Sequence, residues 1–169
     1  QYIRMQGDDI EAAEGMEESM SYIEQGKLYH EIFSRIERAE QLDKILNEYA
    51  DQGIIDRKKQ LPRISKFIGK SLKNEVAARW FEGKTNVINE CEIVHIDPET
   101  GKQVSHRPDR VMVSEDEITV VDFKFGKPKP EEYNAQVKGY MDLLHDMYPD
   151  HKVRGYLWYV YRNTIEEVD

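Results

Sequence analysis

The chain has 169 residues, a net charge of −9 and one cysteine, Cys91. That length supports one well-filled core, and the lone thiol excludes a disulfide framework or a four-cysteine iron–sulfur clamp. No apolar run approaches a membrane span, no glycine-rich phosphate loop equips an ATP-driven motor, and the acidic balance runs against a polyanionic partner.

Residues 1–20 are acidic, with Asp8-Asp9, Glu11, Glu14 and Glu17-Glu18. Their weak periodicity predicts a mobile lead-in to one folded domain over 21–169. Helices are expected at about 21–38 and 41–52, the second closed by Gly53. Leu28, Tyr29, Ile32, Phe33 and Ile36 form the apolar stripe of the first. His30 lies at the edge of that stripe, where a lone histidine is more often a surface residue than a ligand. Ile64, Ile68, Leu72, Val76 and Trp80 predict a helix from about 62 to 82, ending before Gly83. Basic residues gather at Arg57-Lys58-Lys59, Arg63, Lys66, Lys70 and Lys73, and again at Lys124, Lys127 and Lys129. For Lys66, Lys70 and Lys73 a solvated helix face is the safer account.

Strands at about 86–96, 104–114 and 117–125 predict an antiparallel meander, with Asp97-Pro98-Glu99-Thr100-Gly101 as its first turn. Gly126-Lys127-Pro128-Lys129-Pro130 then breaks the chain, and Glu131-Glu132 opens a helix over 131–147. Its Tyr133, Val137, Tyr140, Met141 and Leu144 recur at helical spacing and should pack on the sheet. A last strand at about 152–162 follows, with Val153, Tyr156, Trp158 and Val160. A right-handed crossover sets it parallel to the 117–125 strand. The fold class is α/β, a mixed sheet flanked by helices.

The chemistry concentrates in Arg107-Pro108-Asp109-Arg110-Val111 and Val120-Val121-Asp122-Phe123-Lys124. Read as hairpin arms, a two-residue loop at Glu115-Asp116 and a four-residue loop at 114–117 give one register. Val111 then faces Val120, and Asp109 faces Asp122; a three-residue loop would put Asp109 opposite Phe123. Like charges so opposed are destabilising, so one carboxyl is protonated or a cation lies between them. Lys124 projects on the same face, where an ammonium can orient an attacking water. Val121 and Phe123 point the other way, into apolar packing. Gln136 and Tyr140 share a helix face and can donate to a phosphate; a boundary Gln and a half-buried Tyr fit the spacing equally well. Glu90 and Glu92 offer an outer carboxylate, and Glu92 is equally an ordinary solvent-facing strand residue. His106 precedes Arg107-Pro108-Asp109, yet its side chain alternates away from Asp109. His95, His145 and His151 have no context of their own.

These segments, with Val120-Val121-Asp122-Phe123-Lys124-Phe125-Gly126 and Tyr133-x-x-Gln136-x-x-x-Tyr140, resemble the nuclease domain of RecB- and AddA-type helicase–nucleases. Those proteins belong to the PD-(D/E)XK superfamily. The likeness is dense over 105–144 and reaches back to Gly26-Lys27-Leu28-Tyr29-His30. It implies a restriction-endonuclease-like fold, with His30, Asp109, Asp122 and the Phe123 carbonyl as metal ligands. It makes Asp109, Asp122 and Lys124 catalytic, with Gln136, Tyr140 and Arg107 supporting them or touching DNA.

The activity so implied is Mg²⁺- or Mn²⁺-dependent cleavage of DNA, as an exonuclease on single-stranded ends delivered by a helicase. The setting is recombination and double-strand-break repair in the cytoplasm, with no membrane involved. Gln1 in first place fits a C-terminal domain of a longer helicase–nuclease, with a helicase domain on the same polypeptide and a partner subunit. No iron–sulfur cluster is expected. Two competitors are a catalytically inactive DNA-binding or docking module, and a stand-alone site-specific endonuclease. The second would need base-reading insertions, for which the chain has little room.

Overall fold

The computed structural model describes residues 21–88 and 91–169. The expected acidic lead-in over 1–20 lies outside the described residues, as does Glu90. The chain divides into two compact units. The described part of the first runs to Lys84 and adds Lys124–Lys127 and Val160–Asn163. The second comprises Thr85–Phe123, Pro128–Tyr159 and Thr164–Asp169.

The first unit is helical. Helix α1 (Tyr22–Arg35) starts at a reciprocal cap: Ser21 Oγ accepts the Glu24 N–H, and the Glu24 carboxylate accepts the Ser21 N–H. It ends short of residue 38 because Ile36 turns extended. A single 3₁₀ turn (Ala39–Gln41) leads into α2 (Leu42–Asp51), and α3 (Leu61–Leu72) follows. The helix expected over 62–82 is therefore interrupted, and a 3₁₀ segment (Ala77–Phe81) forms its remainder. Asn74 is the cause. Its Oδ1 accepts the N–H groups of Val76 and Ala77 at 3.0 and 3.3 Å, offering the backbone an alternative to the helical ladder. Ile32, Phe33, Ile36, Leu46 and Ile68 are fully buried. Tyr29 stacks on Phe67 at 5.1 Å, and Phe125 meets Tyr161 edge-on at 5.4 Å.

The second unit holds the sheet. Its strands are β1 (Asn86–Ile88), β2 (Ile93–Ile96), β3 (Gln103–His106), β4 (Arg110–Val113), β5 (Glu117–Lys124), β6 (Lys152–Tyr159) and β7 (Thr164–Val168); helix α4 (Pro130–Met147) separates β5 from β6. The last residue of β5 is counted with the first unit. Five strands run in the order β1-β4-β5-β6-β7, and β2 and β3 form a separate pair. This corrects the predicted meander. Each of its first two long strands is split between the sheets, the second at Arg107-Pro108-Asp109, where Pro108 has no N–H to continue a ladder. The expected turn at Asp97–Gly101 does join β2 to β3, closed by the Gly101 N–H on the Asp97 carbonyl.

Strand β6 runs parallel to β5, as the crossover rule requires. The Lys152 N–H meets the Asp116 carbonyl, and the Val160 N–H meets that of Lys124, so both strands ascend together. The last strand ends earlier than expected, at Tyr159, and β7 returns antiparallel beside it. Asn163, at φ 54°, makes that reversal; asparagine tolerates the left-handed region. Helix α4 seats on β6 at Gly155, where a Cβ atom would lie 2.8 Å from Val137 Cγ1.

Candidate active site

The register of β4 on β5 decides the site. Val111 pairs with Val120 and Val113 with Ile118. The Ser114 N–H donates to the Glu117 carbonyl, leaving Glu115-Asp116 as a two-residue turn. One step beyond the Arg110–Val121 pair brings Asp109 opposite Asp122. The two are tied reciprocally. Asp122 Oδ1 accepts the Asp109 N–H at 3.1 Å, and Asp109 Oδ2 accepts the Phe123 N–H at 2.8 Å. Each carboxylate is thus oriented through one oxygen by the opposing strand.

Burial sharpens the arrangement. Asp122 is only 2% exposed and Asp109 half-buried, while Val111, Val120, Val121 and Phe123 around them are fully dry. Lys124, two residues beyond Asp122 on β5 and so on the same strand face, is also 2% exposed. Phe123 points to the opposite face and meets Trp158 edge-on at 5.9 Å.

Helix α4 brings Tyr140 toward the carboxylates, with Gln136 bonded to its phenol. The Tyr140 phenol is pushed well above its ordinary range, first by burial and then by the charges of Asp122 and Asp109, against a hydrogen bond with Gln136. Those causes set Tyr140 within electrostatic reach of both aspartates. The neutral phenol keeps its proton and stays a donor.

Among the described residues, no three His, Cys, Asp or Glu side chains converge to hold an ion. The donor chemistry of the aspartate pair, oxygen only and held by backbone N–H groups, fits a hard divalent cation and not a zinc cage.

The other candidates have surroundings of their own. His30 belongs to the first unit, half-buried, its ring edge-on to Phe125 at 6.4 Å. Arg107 is exposed and pairs with Glu92 at 3.6 Å; Glu92 also accepts the Ser105 hydroxyl, and these contacts hold its carboxyl below the ordinary range. Glu92 is thus a solvent-facing residue with two partners of its own. Arg110 received no role from the sequence, yet it is 3% exposed with Nε 3.4 Å from Met112 Sδ. An arginine inside an apolar strand was the signal available for it.

The PD-(D/E)XK nuclease superfamily model matches residues 5–168. The chain belongs to that superfamily. No curated protein matches it. The α/β architecture, a five-stranded mixed sheet with helices, is consistent with the restriction-endonuclease-like fold of PD-(D/E)XK proteins. Among the described residues, no helix is long and apolar enough to cross a membrane.

Proposed function

We propose that this chain is a divalent-metal-dependent deoxyribonuclease of the RecB/AddA type. Its substrate is single-stranded DNA at ends delivered by a helicase domain of the same polypeptide, working with a partner subunit in cytoplasmic recombination and break repair. The single observation that carries this reading is the reciprocally bonded Asp109–Asp122 pair, within electrostatic reach of Tyr140. Two carboxylates so opposed are poor structure for a strand and good structure for a cation.

Asp109, Asp122 and the Phe123 carbonyl would hold Mg²⁺ or Mn²⁺, and His30 keeps the ligand role given it by the resemblance. When bound, such an ion polarises the scissile phosphate and supplies an activated water. Lys124 contributes an ammonium on the same face as Asp122, which offsets phosphate charge and orients the attacking water. Tyr140 and Gln136 donate to phosphate oxygens, and Arg107 meets the backbone from solvent.

A purified sample incubated with linear single-stranded DNA, with and without Mn²⁺, tests the reading against Lys124→Ala. Cutting should require the ion and fall with the substitution. Activity that persists in chelator, or that ignores the loss of Lys124, would end the mechanism. Wild type that neither cuts nor binds Mn²⁺ would favour the inactive docking module.

A further inference from the structure

We infer that His106 is a positioning residue for this site, holding the Tyr140 ring from the side, and that His95 is the strut that fixes His106. The inference rests on the nuclease reading above. It concerns two histidines to which the motifs give no role.

The hairpin of β2 and β3 sets Ile93 opposite His106 and His95 opposite Val104. His95 and His106 therefore share one face as diagonal neighbours. Their Nε2 atoms are 2.9 Å apart, and their rings lie within 9° of parallel with centroids 5.0 Å apart. That centroid separation is close to the largest that two imidazoles joined nitrogen to nitrogen at this distance can have. The rings therefore meet end to end, not face to face. Two ring nitrogens so placed must be one donor and one acceptor, which sets opposite roles for the two Nε2 atoms.

The ring of His106 also meets Tyr140. It stands 74° to the phenol ring with centroids 6.0 Å apart, the edge-to-face arrangement that aromatic pairs prefer. Tyr140 in turn feels Asp122 and Asp109 and bonds Gln136. All six residues belong to the second unit, so the line from hairpin to carboxylates runs within one compact body. A phenol that donates to a phosphate must hold its direction. Gln136 and the helix fix its two ends, and the His106 ring supplies the lateral wall.

Cleavage by the full chain separates this from mere folding support. His106→Ala should lower kcat about tenfold with KM unchanged, since a donor is misdirected and not removed. His106→Phe keeps the ring edge and should restore kcat to within about twofold of wild type. His95→Ala should fall like His106→Ala, yet add nothing in the His106→Phe background, where no strut is needed. Wild-type kcat in His106→Ala, or a His106→Phe as poor as the alanine variant, would overturn the role. A second readout needs no activity: ¹⁵N-histidine NMR should show coupling across the Nε2–H···Nε2 bond, and its absence removes the strut. Wild type and Asp122→Asn that are equally inert, with the coupling intact, would instead sink the nuclease reading and the positioning role together.

Discussion

Asp109 and Asp122 clasp across adjacent strands: the carboxylate of Asp122 takes the N–H of Asp109, and the carboxylate of Asp109 takes the N–H that follows Asp122. The clasp gives each side chain two separable duties, tying backbone and presenting charge. Asp122→Asn keeps the Oδ1 acceptor while discarding the charge, so it should fold with a near-native Tm yet lose about two orders of magnitude in cutting. Asp122→Ala discards both and should additionally lower stability by about 1–3 kcal/mol through the stranded N–H. Paired melting and cleavage assays on the two variants read these apart.

The same pair predicts how metal acts on folding. An ion that binds only the folded state, present at about a hundred times its Kd, adds about 2.7 kcal/mol of stability. Mn²⁺ should therefore raise the Tm of wild type, and chelator should return it. In Asp109→Asn and Asp122→Asn the shift should shrink or vanish. A full shift in both variants would place the ion elsewhere.

Phenols set the alkaline limit. Burial, with the charge of Glu132 and the nearby Tyr159, pushes Tyr133 from its ordinary 10.0 up to about 12, and burial also raises Tyr140 and Tyr161. Below the ordinary phenol range both folded and unfolded chains hold these protons, and the stability is intact. As pH rises through that range the unfolded chain releases protons that the folded chain retains, so stability falls until the folded values are reached. Denaturant midpoints measured from pH 8 to 11.5 should decline, and Tyr133→Phe should flatten part of the decline. Midpoints constant to pH 11.5 would contradict the assignment.

The hairpin was legible because its alternatives converged. Two loop lengths gave one register, and Ser114 closing on Glu117 realises it. The crossover to β6 was legible for a similar reason, since handedness leaves one outcome. The break at Asn74 was not, because it depends on one side chain outcompeting a helix whose apolar spacing continues to Trp80. Nor was the splitting of the first two strands, where Val104 and Val111 both fit a single run but Pro108 falls between them. Strand β7 offered only Ile165 and Val168 as apolar markers among charges. The meeting of His95 with His106 depends on the exact register of the β2–β3 hairpin, which the expected turn at Asp97–Gly101 does not by itself fix.

Two glycines, Gly155 on β6 beneath the helix seat and Gly139 within α4, carry opposite expectations. At Gly155 on β6 a Cβ atom would press on Val137 and Met141, so Gly155→Ala should cost about 1–3 kcal/mol by overpacking. Val137 follows Gln136 directly and Met141 follows Tyr140, so the displaced helix should also lose cutting beyond what the fall in Tm explains. Gly139, within α4, has nothing within 4 Å of a would-be Cβ. Gly139→Ala should therefore gain about 0.5–1 kcal/mol through lower backbone entropy, with cutting unchanged. A Gly155→Ala protein as stable as wild type would show that the helix seat can yield.

Helix α3 answers the objection raised by a net charge of −9. Ile64, Ile68 and Leu72 fill its buried face, while Arg63, Lys66, Lys70 and Lys73 recur on the exposed side at spacings of three, four and three. No acidic residue interrupts that stretch. A polyanion responds to the local row of charge and not to the chain total, because charges beyond a Debye length are screened. Binding of single-stranded DNA in chelator should therefore weaken with salt, and each phosphate contact removed should reduce the logarithmic slope by about 0.7. Lys66→Gln with Lys70→Gln should lower that slope by about 1.4 and leave the unfolding free energy within about 0.5 kcal/mol of wild type, since both side chains are exposed. An unchanged slope would return the row to an ordinary solvated face, and the grip on DNA would have to come from Lys124, Lys127, Lys129 or Arg107.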